Sequence, residues 1–376
     1  MTHPPIAVGF SAGPQPPLAT VLYHLRFARL LRLDSFFIWD HLQNIIPTTL
    51  WERRFSWVVG RGATPHACFE FQTMLGYLAK HAGGIRLGVG VTEPIRRHPV
   101  IIAQAMVTLA HLTRRAPILG IGAGERENVE PYGLDFTHTV SRLEEALQII
   151  RLCFAARGPL DFAGTYYQLD HAMFDLRAPN GRTPEIWIGG IGPRMLRLTG
   201  QYGDGWYPVG FFPPAEYATK LAAIHTAARA AGRDPASITP SLQPYILVAP
   251  TEREARAMLD TRAIRYMGLL VPAEYWRQAG LTHPFGDDFR GYIDFLPERY
   301  SRAELEDAIA AVPPALGDVG VIRGTPEQVV QRLREYGDAG MRHVVPQLLS
   351  AIVSRRAALY SLYALRLIAR QLAAGR

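Results

Sequence analysis

Three short stretches of this 376-residue chain carry side chains able to do chemistry. Asp40-His41 sets a carboxylate beside an imidazole, the makings of an acid/base pair or of a polar clamp on a planar ligand. Gly120, Gly122 and Gly124 alternate ahead of Glu125-Arg126-Glu127. So bare a backbone is either a tight turn packed on its neighbours or a surface for a planar cofactor, with Glu125 as a general acid if burial raises its pKa. A dinucleotide fingerprint would need glycine where Glu127 stands, so that motif fails. Gly189-Gly190-Ile191-Gly192-Pro193-Arg194 places proline at the first position of an expected helix. Free N–H groups there favour an anion such as phosphate, and Arg194 could add charge. The histidines lack metal-ligand spacing and no GxSxG elbow occurs, so neither a metal nor a serine hydrolase is expected.

Each stretch follows a short β-rich run, and such runs alternate with helical patterns along the whole chain. The expected strands are Ile6–Phe10, Ser35–Trp39, Ile85–Val91, Pro117–Ile121, Glu185–Ile188, Gly205–Pro208, Gln243–Ala249 and His343–Pro346. An eight-fold count favours a closed (β/α)8 TIM barrel over an open doubly wound sheet, and no linker divides the chain, so residues 1–376 read as one domain. In such a barrel the chemistry sits at the C-terminal strand ends, where all three stretches fall. A hairpin is expected over Leu160–Leu169, and a long insertion over roughly 267–318. Trp276, Phe285, Phe289, Tyr292 and Phe295 crowd that insertion, as a lid over an apolar substrate or as a satellite core under a long loop.

Composition narrows the partners. Hydrophobic residues make up 48% and charged residues 19%, enough for a large core. Lys+Arg 40 against Asp+Glu 33 gives +7, but the arginines are scattered, so no nucleic acid is expected. Cys68 and Cys153 form no CxxC motif, which fits a reducing cytoplasm. The start MTHPPIAVGF has no signal-peptide pattern, and no window of about 18 apolar residues implies a transmembrane helix. The stretch 350–372 is interrupted by Arg355, Arg356, Arg366 and Arg370 and reads as the last barrel helix. A homodimer is the default assembly.

The segments IWDHLQ (38–43), LGVGVTEPIRRHPVIIAQ (87–104), ILGIGAGERENVEPYG (118–133), PEIWIGGIGPRMLRLTGQYGDGW (184–206) and AGRDPASITP (231–240) together resemble the bacterial luciferase-like superfamily. They are more similar still to its branch that uses the deazaflavin coenzyme F420. Within that branch the chain looks most like the phthiodiolone ketoreductases, the insertion stretch VPAEYWRQAGLTHPFGDDF (271–289) included. The resemblance implies a deazaflavin at the C-terminal mouth and a non-proline cis peptide behind its ring, here Gly90-Val91. It also implies Asp40 and His41 facing the ring, Glu125 as a proton donor, and Gly189, Gly190 and Gly192 on the phosphate side of the tail. Gly122 and Gly124 fall on the ring side. The related sugar-6-phosphate dehydrogenases have Trp where Ile45 stands, and a lysine where this chain reads VGFFPP (209–214). An apolar loop cannot hold a phosphate, so Phe211, Phe212 and His283 are expected on the side of a small-molecule or lipid-like ketone.

The expected activity is hydride transfer between reduced F420 and a carbonyl, with Asp40, His41 and Glu125 as the catalytic group. An FMN-dependent monooxygenase shares the same glycine cradle and stays open. A non-catalytic cofactor- or lipid-binding barrel is the third reading, which the intact Asp40, His41 and Glu125 disfavour.

Overall fold

Runs of consecutive apolar residues become strands covered on both faces. Ser35–Ile38 and Ile118–Ile121 are buried at every position, the pattern of parallel strands with side chains inside and helices outside. The computed structural model of the protein describes all residues except 1–2, 60–63, 180, 211, 314–315, 317–319 and 375–376. In chain order the strands are β1 (Ala7–Ala12), β2 (Ser35–Ile38), β3 (Arg86–Thr92), β4 (Ile118–Ile121), β5 (Leu160–Ala163), β6 (Gln168–Ala172) and β7 (Glu185–Ile188). Then follow β8 (Gly205–Trp206), β9 (Val209–Gly210), β10 (Thr239–Val248), β11 (Val321–Gly324), β12 (His343–Val344) and β13 (Gln347–Leu348).

Strands β1, β2, β3, β4, β7, β8, β10 and β12 pair in parallel around a closed ring. β10 joins β8 on one edge and β12 on the other, and β12 joins β1. This is the expected (β/α)8 barrel. β9 and β13 extend it along β10, and β5–β6 is the expected hairpin, apart from the ring. β11 also pairs with the end of β10 and was not expected, because four residues after a long insertion give little pattern to read.

The barrel interior is a packed core of Phe37, Ile118, Trp187, Tyr207 and Val345, with Val91 against it. Rings this large need glycine opposite them. A Cβ on Gly205 would stand 2.6 Å from Trp187, and one on Gly88 2.7 Å from Phe37. At the N-terminal end of the strands, buried His343 meets Ser35 Oγ at 2.9 Å and Asp34 at 3.4 Å. That end is closed by polar contacts, which leaves the other end for ligands. The helix Arg355–Ala373 packs as the last barrel helix, and Leu372 accepts from the Ile6 amide at 3.2 Å. No described helix is long and apolar enough to cross a membrane.

After β10 the chain leaves the ring. Helices Arg262–Gly268, Ala273–Gln278 and Arg302–Ala311 enclose a separate core of Tyr266, Trp276, Phe289, Phe295 and Leu305. Leu50 and Phe55, from the loop after β2, complete it. The expected aromatics therefore make a satellite core. It begins before residue 267, since Ala263 and Tyr266 belong to it and the Tyr266 hydroxyl donates to the Ile45 carbonyl.

Candidate active site

Successive parallel strands deliver the chemical groups to one mouth. Asp40 and His41 follow β2, Glu93–Arg97 follow β3, Gly122–Glu127 follow β4 and Gly189–Arg194 follow β7. The pairing of β3 with β4 shifts register between Val89 and Thr92, and the Gly90-Val91 peptide is cis, as the resemblance implied. Glycine is required around this irregularity. A Cβ on Gly120 would meet the Val89 carbonyl oxygen at 2.2 Å, and one on Gly90 would meet the Tyr207 ring at 2.9 Å. Cβ atoms on Gly122 and Gly189 would stand 3.4 and 3.3 Å from the Val91 side chain. Val91 thus lies between two bare backbone segments, an apolar rest at the strand ends.

Asp40 is 4% exposed and serves as a hub. Its carboxylate accepts from Thr92 Oγ1 at 2.7 Å, Arg96 Nη2 at 2.9 Å and Arg97 Nη1 at 2.7 Å. Arg96 also donates to the Asp40 carbonyl at 2.9 Å and is held by Glu93. Arg97 reaches Glu70 at 3.1 Å. The sequence readings for Asp40 were an acid/base residue or a clamp on a planar ligand; the structure instead shows its lone pairs engaged by Thr92, Arg96 and Arg97, so that it clamps the loop after β2 to the loop after β3.

His41 stands between two carboxylates. Its Nε2 is 3.3 Å from Glu125 Oε2 and its Nδ1 is 3.4 Å from Glu127 Oε1. Nδ1 also lies 3.2 Å from the Gln43 carbonyl oxygen, and Trp39 meets the ring edge-on at 5.1 Å. The Glu125 side chain is 32% exposed at the mouth, whereas that of Glu127 is fully buried. Burial, and then the Glu125 charge, push the Glu127 carboxyl well above the usual range. Its Oε1 accepts from Asn128 Nδ2 at 3.2 Å, and its Oε2 has no hydrogen-bond partner. Asn128 Oδ1 accepts from the Leu42 amide at 2.8 Å, and Gln43 Nε2 donates to the Glu127 carbonyl at 2.6 Å. These bonds fix the loop after β2 to the loop after β4, which sets the His41–carboxylate distances.

On another wall, Tyr245 of β10 and Tyr292 of the insertion share a hydroxyl–hydroxyl bond of 2.5 Å. Burial pushes both phenols up, and the Glu125 charge adds to it.

The other expected residues lie as follows. Gly190 (φ 139°) and Gly124 (φ 93°) adopt left-handed backbone that favours glycine. Gly192 precedes Pro193 at the start of the helix Pro193–Tyr202, and a Cβ there would meet nothing within 4 Å. Arg194, in the first turn of that helix, bonds Ser141 at 2.9 Å and Glu144 at 2.6 Å. Phe212, expected on the substrate side, is 3% exposed and stacks on Trp206 in the barrel's outer core. His283, also expected there, is buried in the insertion. It stacks on Phe289 at 4.5 Å, with one ring nitrogen 3.0 Å from the Leu269 carbonyl and the other accepting from the Phe285 amide. Phe211 lies outside the described residues.

The sequence reading gave no role to Glu93 or Glu127, and it missed Arg96, Arg97 and the Tyr245–Tyr292 pair. The tandem arginines three and four positions after Glu93, and the Glu-x-Glu spacing, were signals available in one segment. Nothing local links Tyr245 to Tyr292.

A closed barrel with a bulged third strand, a glycine-lined rest and a histidine–carboxylate pair at its mouth defines a luciferase-like barrel. Residues 47–343 match the family model described as luciferase-like monooxygenase, and the chain belongs to that family. It is 38% identical over 333 residues to the phthiodiolone/phenolphthiodiolone dimycocerosates ketoreductase of Mycobacterium tuberculosis, covering 88% of this chain and 87% of that protein. It is 30% identical over 351 residues to the F420-dependent glucose-6-phosphate dehydrogenase of Nakamurella multipartita, covering 92% and 91%. A solved F420-dependent secondary alcohol dehydrogenase in complex with an F420–acetone adduct shares the fold, with a TM-score of 0.74 at 18% identity over 97% of this chain and 98% of that one.

Proposed function

We propose that the protein is an F420-dependent oxidoreductase that reduces the carbonyl of an apolar ketone. The observation that carries this reading is the His41–Glu125 pair, 3.3 Å apart, at the same mouth as the Val91 rest. The ketoreductase and F420-dependent relatives support it. Bound F420 would supply the hydride. The residues present suit such a group. Gly90, Val91, Gly122 and Gly124 leave a flat, apolar surface for the ring, and a side chain on Gly122 would fill it. Gly189, Gly190 and Gly192 offer bare backbone at a helix start for the phosphate side of the tail.

The chain's own residues then have separable tasks. Asp40, gripped by Arg96 and Arg97, holds the mouth in shape. Negative charge develops on the carbonyl oxygen, and the His41–Glu125 pair delivers the proton that neutralises it. Ile45, Ile46 and Val209 pack on the insertion core, and exposed Leu42 and Ile293 lie on the loop after β2 and on the insertion, which suits an apolar substrate. The insertion acts as the substrate-side lid, tied to the barrel through Tyr292. The reading extends to a cytoplasmic homodimer, with a second copy supported by exposed Tyr77, Ile101 and Leu112 on two adjoining helices.

The test is a parallel fluorescence titration with F420 and with FMN. Tight binding of F420 alone is expected, and preference for FMN would move the assignment to a monooxygenase. Glu125→Gln should keep F420 affinity and lower turnover by roughly 100- to 10,000-fold. Unchanged turnover would remove Glu125 from the chemistry.

A further inference from the structure

Glu127 has no task in the scheme above, yet it is a fully buried carboxyl at the end of a line that runs Glu125, His41, Glu127. The two N–O separations are 3.3 and 3.4 Å, and the donor atoms of all three residues lie within 4.8 Å of one another. Only Glu125 opens widely to the mouth. The buried end is sealed, and Glu127 Oε2 has no hydrogen-bond partner. An ionised carboxylate with a bare oxygen in such a place would be costly, whereas a neutral acid tolerates it.

We propose that Glu127 is a proton-holding positioning residue that acts through His41, replenishing the proton the reaction consumes. This inference rests on the ketone-reductase reading. Each reduction needs one proton at the substrate oxygen. His41 starts as a neutral ring with its proton on Nε2; that proton leaves through the Nε2–Glu125 contact while the bare Nδ1 takes one from the Glu127 carboxyl, so the ring stays neutral with its proton now on Nδ1. Glu127 is then a carboxylate until a proton from solvent returns along the same line. The electron pair comes with the hydride, so the relay moves protons only.

The surroundings fit this role. The Gln43 carbonyl, 3.2 Å from Nδ1, steadies the ring in its protonated form. Glu125 faces Glu127 from the same loop and opposes its ionisation. Burial raises the pKa of nearby Cys68, Tyr132 and Tyr266, so none of them is an anion beside Glu127. Arg96, the nearby cation, is committed to Asp40 and Glu93 and acts on Glu125, which leaves Glu127 without a salt-bridge partner among the described residues except His41.

The test has two arms on the full chain. In the first, isotope-edited infrared spectra of the protein without added cofactor are recorded across pH beside ¹⁵N spectra of the His41 ring. The expected result is a carboxylic-acid band that persists above the ordinary glutamate range and is absent from Glu127→Gln. The His41 resonances should shift with that band, and their titration should move in the variant. An ionised Glu127 at neutral pH, or a His41 titration that ignores the substitution, overturns the proposal whether or not F420 binds. In the second arm, protein holding reduced F420 is mixed with a long-chain methyl ketone and the pH dependence of the single-turnover rate is followed, before Glu127 has to be refilled from solvent. The ratio of native to Glu127→Gln rates should grow by about tenfold per pH unit once solvent no longer supplies imidazolium. A ratio that stays constant with pH marks Glu127 as structural and overturns the relay. Absence of any ketone reduction by the native protein would overturn the proposed function, while the first arm still decides the state of Glu127.

Discussion

Asp40→Asn keeps the shape of the side chain and removes its charge. Asp40 is 4% exposed; its Oδ2 takes three close bonds, from Thr92, Arg96 and Arg97, and its Oδ1 takes the longer guanidinium contacts at 3.4 and 3.3 Å. Asparagine offers one acceptor oxygen and turns two N–H donors towards the guanidiniums. Glu93 still holds Arg96 and Glu70 still holds Arg97, so neither cation is stranded. The cost therefore falls at the low end of the range for breaking a buried pair, about 3 kcal/mol. An unfolding entropy of roughly 2.1 cal/mol/K per residue over 376 residues gives about 0.8 kcal/mol/K. The expected fall in Tm is thus about 4 °C by scanning calorimetry, accompanied by weaker F420 binding. An acid/base residue would behave in the opposite way, losing turnover at unchanged Tm and affinity. A fall of less than about 1 °C with F420 affinity intact would refute the clamp assignment.

Two further outcomes follow from the packing. Gly120→Ala forces a Cβ towards the Val89 carbonyl at 2.2 Å. Since backbone must yield, a loss of about 1–3 kcal/mol is expected, with weaker F420 binding; an unchanged F420 dissociation constant would show that the shape of the β3 bulge does not matter to the ligand. Burial lowers the His283 pKa to about 4, below the ordinary value of about 6.5. The unfolded chain binds the proton more readily, so this stability is fully present above about pH 6.5 and is lost as pH falls through about 4. On the order of 3 kcal/mol is involved, and urea midpoints measured from pH 7 to 4 should fall less steeply in His283→Gln; identical slopes would place the acid sensitivity elsewhere.

Much of the fold was legible because covered parallel strands leave a local record. FFI and ILGI are unbroken apolar runs, and capping at Thr325-Pro326 fixes the start of the helix Pro326–Asp338. The candidate site residues were singled out for a related reason. In a barrel of this kind a strand end is also a mouth position, so Asp40, His41, Glu125 and the glycines announce themselves by following strands. The satellite core was visible only as a choice, since aromatic crowding does not say which way the rings face.

The sequence by itself determined the eight-fold alternation, the glycine rest and the polar residues at the strand ends, because each depends on neighbours within a few positions. The tertiary structure decided their partners. Asp40 became a clamp because Arg96 and Arg97, more than fifty positions away, converge on it. Phe212 and His283 went into packing because their surroundings offered apolar walls and backbone acceptors. Tyr245 met Tyr292 across an insertion. Glu127 became a buried acid because Asn128 and Gln43 pull two loops together over it. Charge and hydrogen bonding act through space at a few ångströms, and in this barrel those ångströms join residues that the chain itself keeps far apart.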